Sequence, residues 1–154
     1  MNVIWAHIHE SIKARASEFT LGLILLAMSA VLAFNTTLFA DQAAIYRGFM
    51  RYLDQPSWAL LCAVVGGVRL VVLGINGFWH RSPLLRAICA YLSCVVWFLL
   101  SSGVYASGTY GLGLAIYPVL LLSDSYNVLR TTGDAREADR RRRHRLDGRD
   151  TRAH

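Results

Sequence analysis

The chain has 154 residues, of which 55% are hydrophobic and only 17% charged, whereas ordinary soluble domains carry roughly 45–50% and about 25%. Of its formal net charge of +6, the nine arginines and five acids between Arg130 and His154 supply +4. The body is therefore apolar and nearly neutral, which excludes a soluble enzyme with a polar shell and a nucleic-acid-binding domain with a basic body.

In the first 17 residues, Ile4, Trp5, Ile8 and Ile12 recur at helical spacing, with His9 and Lys13 elsewhere around the wheel. This predicts a short amphipathic helix lying in the membrane interface. Four long apolar runs follow, at about 19–39, 58–77, 84–102 and 111–129. Each approaches the ~20 residues that cross a hydrocarbon core about 30 Å thick at 1.5 Å per residue. The first run lacks a short apolar segment ending in an Ala-x-Ala site, so it reads as a signal anchor and not as a cleaved leader. Between Asp41 and Asp54, Ile45, Phe49, Tyr52 and Leu53 form an apolar stripe against Arg47 and Arg51. That stripe predicts a second surface helix, packed over the bundle end or offered to a membrane or partner.

The second span carries Arg69 about eleven positions in. An arginine at a helix centre in lipid costs from ~2.5 to more than 10 kcal/mol, so it must face protein or water. The fourth span runs in the same direction and places Asp124 at a similar depth. An Arg69–Asp124 pair is expected, with Glu18 at the start of the first span as the competing partner. The pair reads either as a pin that fixes helix rotation or as the polar lining of a pore or substrate path. The patch Ser123-Asp124-Ser125-Tyr126-Asn127 equally marks where the fourth span meets the cytoplasm. Small residues recur at Ala59, Ala63, Gly66, Gly67, Gly74 and Gly77 in the second span and at Gly111, Gly113 and Ala115 in the fourth. They let helix backbones approach closely, within one bundle or between copies.

Pro83 suits the first turn of the third span, and Pro118 should bend the fourth or free a carbonyl. Trp58, Trp79, Tyr105 and Tyr110 are expected at the interfaces, and Trp97 in packing. Cys62, Cys89 and Cys94 all fall in spans with no C-x-x-C spacing and read as small apolar packing residues. His7, His9, His80, His144 and His154 all lie outside the spans, leaving no intramembrane ligand for haem and no base for a hydrolase. Nucleophile-elbow, phosphate-loop and metalloprotease motifs are absent, so no catalytic residue, metal or cofactor is expected.

Lys13 and Arg15 precede the first span, Arg81 and Arg86 flank the turn between the second and third, and the arginine cluster follows the fourth. Positive residues mark the cytoplasmic side, so both termini should lie inside. The tail from about residue 130, with Arg140, Arg141, Arg142 and Arg143, is too polar for a core and should be a frayed helix or disordered. Such segments bind anionic headgroups at about 1 kcal/mol per basic residue, and the interspersed acids argue against nucleic acid. The expected fold is an all-α four-helix transmembrane bundle, N-in and C-in, over 18–129, with an interfacial helix at 1–17 and an Arg-rich tail at 130–154.

The stretches Arg69-Leu70, Ile75-Asn76-Gly77-Phe78-Trp79-His80-Arg81-Ser82-Pro83-Leu84-Leu85-Arg86 and Gly113-Leu114-Ala115-Ile116-Tyr117-Pro118, followed by Asp124, Tyr126-Asn127-Val128 and Arg130, resemble small four-span membrane proteins of tailed bacteriophages and prophages. The resemblance covers about residues 58–136. It implies a host inner-membrane protein that self-associates, with holin-like permeabilisation as the leading expectation. A membrane anchor, scaffold or superinfection-exclusion protein that binds a partner through its cytoplasmic tail is the alternative. A small transporter subunit using Asp124 is the third.

Overall fold

The chain folds into helices alone among the described residues: α1 (Asn2–Phe34), α2 (Leu38–Asp41), α3 (Ala43–Met50), α4 (Gln55–Phe78), α5 (Pro83–Ser107) and α6 (Gly113–Asp150). The computed structural model describes the backbone of residues 2–78 and 83–150, and side-chain environments over 16–75, 84–133, 136 and 140. The Ile4–Ile12 stripe, the turn at 79–82, the five histidines, the environment of Gly77 and the side chains of Arg141, Arg142 and Arg143 lie outside the described residues.

The four long helices run alternately up and down. Leu70 lies against Gly22, while Gln55 bonds the backbone of Leu32, so α1 and α4 are antiparallel. Cys94 lies beside Ser125 and Val104 beside Gly113, so α5 and α6 are antiparallel too. α1 packs along α4 and α5 along α6, α4 and α5 make a lesser contact, and α1 and α6 meet sparsely. The order around the bundle is therefore α1, α4, α5, α6.

Three stretches, Ala16–Phe34, Gln55–Ile75 and Leu84–Ser107, are long and apolar enough to cross a membrane. The expected fourth span forms the start of α6 but is not among them, because Ser123, Asp124, Ser125, Asn127 and Arg130 dilute its apolar character. Polarity is arranged inside out. Glu18, Ser29, Gln55, Arg69, Ser93, Asp124, Asn127 and Thr131 are buried, while Leu23, Phe34, Leu60, Val71, Ile75, Leu84 and Phe98 face outward. Soluble monomers rarely expose apolar surface so continuously, and three apolar helices that are long enough for a bilayer account for it.

Several boundaries differ from the sequence reading. No separate helix covers 1–17; α1 is continuous to Phe34, since it contains no proline and its only glycine is Gly22. It then stops at Asn35, short of the expected Phe39, because Asn35-Thr36-Thr37 favours a turn over a continued helix. The Asn35 side chain turns back to the Val31 carbonyl, and Phe39 sits buried on the separate turn α2. The tail is not separate either: α6 runs unbroken for 38 residues to Asp150, about 57 Å at 1.5 Å per residue.

Local chemistry sets the remaining ends. Asp54 Oδ1 accepts the Ser57 N–H at 3.2 Å and caps α4. Pro83 opens α5, and Gly108 ends it at φ +68°, a left-handed conformation that glycine adopts without strain. Pro118 lies within the first turns of α6 without interrupting it.

α2 and α3 close one end of the bundle. Phe49 is buried and Tyr46 and Leu53 are half-buried, while Ile45 and Tyr52 point outward, so only part of the predicted stripe packs. Phe39 stacks on Tyr46 with ring centroids 4.6 Å apart, and Phe49 meets Trp58 edge-on at 5.9 Å. Trp58, expected at the interface, is instead wholly buried, with Nε1 donating to the Phe49 carbonyl at 3.1 Å. A cap folded over its end of α4 removes it from the surface. Gln55 joins the cap to α1: Oε1 accepts the Phe39 N–H at 2.9 Å, and Nε2 donates to the carbonyls of Leu32, at 2.8 Å, and Asn35. Gln55→Leu should destabilise the protein by about 2–3 kcal/mol, because buried backbone groups lose their partners. Thermal unfolding in detergent measures this; a midpoint equal to the parent's would remove Gln55 from that role.

Candidate functional site

At the end of the bundle opposite the cap, charged and polar groups from all four long helices meet in one layer. Arg69 of α4 donates from Nη1 to Oδ2 of Asp124 on α6 at 2.6 Å, and the two side chains are 2% and 0% exposed. Asn127, one turn further along α6, approaches Asp124 Oδ1 through Nδ2 at 3.5 Å. Ser17 of α1 donates to Asn127 Oδ1 at 3.2 Å. Thr131, also buried, returns its hydroxyl to the Asn127 carbonyl at 2.8 Å.

A second ion pair lies in the same layer. Arg86 Nε donates to Glu18 Oε2 at 3.2 Å, and Arg86 Nη2 contacts Glu18 Oε1. The arginine fork thus takes both carboxylate oxygens, the most directional form of such a pair. Glu18, weighed from sequence as a competitor for Arg69, is therefore engaged with Arg86. The topology could have indicated this: α1 and α5 both leave the same end, and Glu18 and Arg86 stand near the start of their apolar stretches.

The two ion pairs cross the bundle. In the order α1, α4, α5, α6, neighbours share helix packing, whereas α4–α6 and α1–α5 lie diagonally and have little backbone contact. Arg69–Asp124 spans one diagonal and Glu18–Arg86 the other. Long arginine side chains suit this task, because they reach across a core where Leu or Val would stop short. Arg69 Nη2, Ser93 Oγ and Trp97 Nε1 are buried without a hydrogen-bond partner among the described residues.

The small residues divide between two roles. A Cβ added at Gly66 would fall 2.9 Å from the Gly22 carbonyl, so this glycine serves the α1–α4 crossing. Gly113 lies against Val104 and its own helix's Tyr117. Ala63 is half-buried. A Cβ built at Gly67, Gly74 or Gly111 would meet nothing within 4 Å, so each of these positions has room for a side chain. The tightest approach was not anticipated: at Gly48 of α3 an added Cβ would lie 1.9 Å from the Gly103 carbonyl of α5.

Cys62 and Cys89 are buried, Cys94 is half-buried, and all three are free thiols. Cys94 Sγ lies 3.9 Å from Ser125 Oγ, a weak contact. No group of three His, Cys, Asp or Glu side chains that could hold a metal occurs among the described residues. Arg140 is exposed on the extension of α6.

A cavity of about 290 Å³ lies beneath the cap, lined mainly by α1, α2 and α3, with Trp58, Leu100 and Tyr117 from α4, α5 and α6. Its lining is apolar apart from the Tyr46 and Tyr117 hydroxyls and the Trp58 N–H, which is already bonded to Phe49. Burial raises the pKa of the Tyr46 phenol above 10.0, so it remains a hydrogen-bond donor at neutral pH.

Over the described residues, the class these features define is an all-helical protein with three helices long and apolar enough for a membrane and a charged layer inside the bundle. Comparison with protein-family models, curated proteins and solved structures finds no match.

Proposed function

We propose that the chain is a four-span protein of a bacterial inner membrane with both ends cytoplasmic, acting without catalysis as an anchor or scaffold. Its α6 extension, with Arg140 to Arg143, meets anionic headgroups and a protein partner. One observation carries this reading: Glu18, Arg69, Arg86 and Asp124 are all paired inside a single copy, so the layer works as a pin and leaves no charged face for a water-filled path. α6 fits as the fourth span because Ile116, Val119, Leu122, Tyr126 and Leu129 face outward while Asp124, Asn127 and Thr131 face in. Both α1 and α6 continue past the charged layer at the end that the positive-inside rule assigns to the cytoplasm.

Deleting residues 134–154 should leave the protein in the carbonate-resistant membrane fraction but weaken flotation with anionic vesicles, at about 1 kcal/mol for each basic residue near the surface. Extraction of the full chain by carbonate would end the membrane reading. Unchanged flotation of the truncated chain would end the role of the tail.

A second reading, self-association into a holin-like lesion, draws on the open space around Gly67 and Gly74, which share a face of α4 with Ala63. It fits the resemblance to small membrane proteins of tailed phages. Induced expression should then collapse the membrane potential, and Gly67→Ile should delay the collapse; growth with intact potential at high expression rules it out.

A further inference from the structure

We infer that the bundle interior binds one water molecule, which accepts a hydrogen bond from Arg69 Nη2 and donates one to Ser93 Oγ, tying α5 to the α4–α6 ion pair. The inference concerns the inside of a single copy and does not depend on what surrounds the bundle.

The two ion pairs of the charged layer are built differently. Arg86 engages both carboxylate oxygens of Glu18, through Nε and Nη2. Arg69 gives Asp124 a single nitrogen, Nη1 to Oδ2 at 2.6 Å. Its Nη2 is buried with no partner among the described residues. The other oxygen of Asp124, Oδ1, is approached only by Asn127 Nδ2, at 3.5 Å, among the described residues. A buried donor on a charged group is costly to leave unbonded, so Nη2 calls for an acceptor.

Ser93 of α5 stands at the same depth. Its neighbour Cys94 lies beside Ser125, the residue after Asp124. Ser93 shares one side of α5 with Trp97 and Leu100, all three buried, so its hydroxyl faces the interior. α5 lies between α4 and α6 in the bundle, and Arg69 crosses that interior to reach Asp124. The Arg69 charge acts on both Cys89 and Cys94, which bracket Ser93 along the helix. Yet Ser93 Oγ is buried without a hydrogen-bond partner among the described residues. It does not turn back to its own helix, as Ser101 and Ser125 do to the carbonyls of Trp97 and Leu121. One small group that both accepts and donates satisfies the two orphans together.

Charge selects that group. The Arg69–Asp124 pair is neutral as a unit, so an added anion or cation would bring a net charge into a buried site with nothing to offset it. Water is neutral, accepts from the guanidinium and donates to the serine, and its second proton is left for a carboxylate oxygen such as Asp124 Oδ1. Buried waters typically make about three such bonds to groups that would otherwise lack partners.

The test is a structure of the full chain, crystallised from a lipidic mesophase at a resolution that shows ordered water, together with the variants Ser93→Thr and Ser93→Val. One water within hydrogen-bond distance of both Arg69 Nη2 and Ser93 Oγ is expected in the parent. The two variants have nearly the same shape and differ in the hydroxyl. In detergent, the unfolding equilibrium of Ser93→Val should lie roughly tenfold further toward the unfolded state than that of Ser93→Thr, the loss of one buried hydrogen bond. Without the water the order reverses, because a methyl group is easier to bury than an unpaired hydroxyl. A direct bond between Arg69 and Ser93, an ion or no ordered density between them, or Ser93→Val at least as stable as Ser93→Thr, overturns the inference. The parent structure decides the matter even if neither variant folds.

Discussion

Arg69→Met should destabilise the protein by about 3–5 kcal/mol, because removing one member of a buried pair leaves the other charged and without compensation. Asp124 is 0% exposed, and its other hydrogen-bonding neighbour among the described residues, Asn127 Nδ2, stands at 3.5 Å, too far to replace a guanidinium. Asp124→Asn should be damaging for the reciprocal reason, since the guanidinium of Arg69 then faces a neutral amide. Arg69→Met combined with Asp124→Leu should restore most of the loss, because apolar groups of similar volume carry no desolvation penalty. Unfolding of each variant in mixed micelles, followed by helical circular dichroism, measures the three values. A single variant within about 1 kcal/mol of the parent would mean that the pair does not hold the α4–α6 diagonal, and would reopen the pore reading of Arg69.

Among the described glycines, Gly48→Ala should be the most disruptive alanine substitution. Its Cβ would sit 1.9 Å from the Gly103 carbonyl and 2.8 Å from the Ser107 amide nitrogen, both backbone atoms that cannot rotate away. α3 would have to lift from α5, carrying Phe49 off Trp58 and opening the cap. Overpacking usually costs 1–3 kcal/mol, and a backbone clash of this kind belongs at about 3 kcal/mol or more. Gly67→Ala and Gly74→Ala provide the contrast. Both meet open space on a helix, so each should stabilise the monomer by roughly 0.5–1 kcal/mol through helix propensity. Thermal midpoints in detergent separate the groups, with tryptophan emission reporting exposure of Trp58 in Gly48→Ala. A Gly48→Ala midpoint equal to that of Gly67→Ala would mean that α3 does not seat on α5 as described.

Both expectations turn on contacts that were legible from sequence to different degrees. Arg69 and Asp124 could be paired because an arginine deep in an apolar run must find a partner, and alternating helices bring only certain depths together. Glu18 and Arg86 obey the same logic but were not paired from sequence, because Glu18 stood as a competitor for Arg69 and Arg86 counted as a loop charge that sets orientation. One residue can serve both purposes. The contact of Gly48 with Gly103 had no sequence signal, because the glycines belong to helices separated by all of α4. Trp58 was misplaced for a related reason: amphipathic rings favour interfaces, and only the folding of α2 and α3 over that end made its site an interior one.

The sequence by itself determined that the chain is helical and built around long apolar runs, because run length and the lack of polar faces are local properties that meet a fixed membrane thickness. It also indicated the direction of the charge asymmetry and the depth at which a buried arginine needed an acid. Tertiary structure decided which small residues pack, which helices stand diagonally, and that the polar residues of α6 turn inward. It also decided that a lateral cavity lies under the cap. These depend on helix rotation and on distances between segments far apart in the chain, and a hydrophobic pattern that is apolar around most of each helix does not encode rotation.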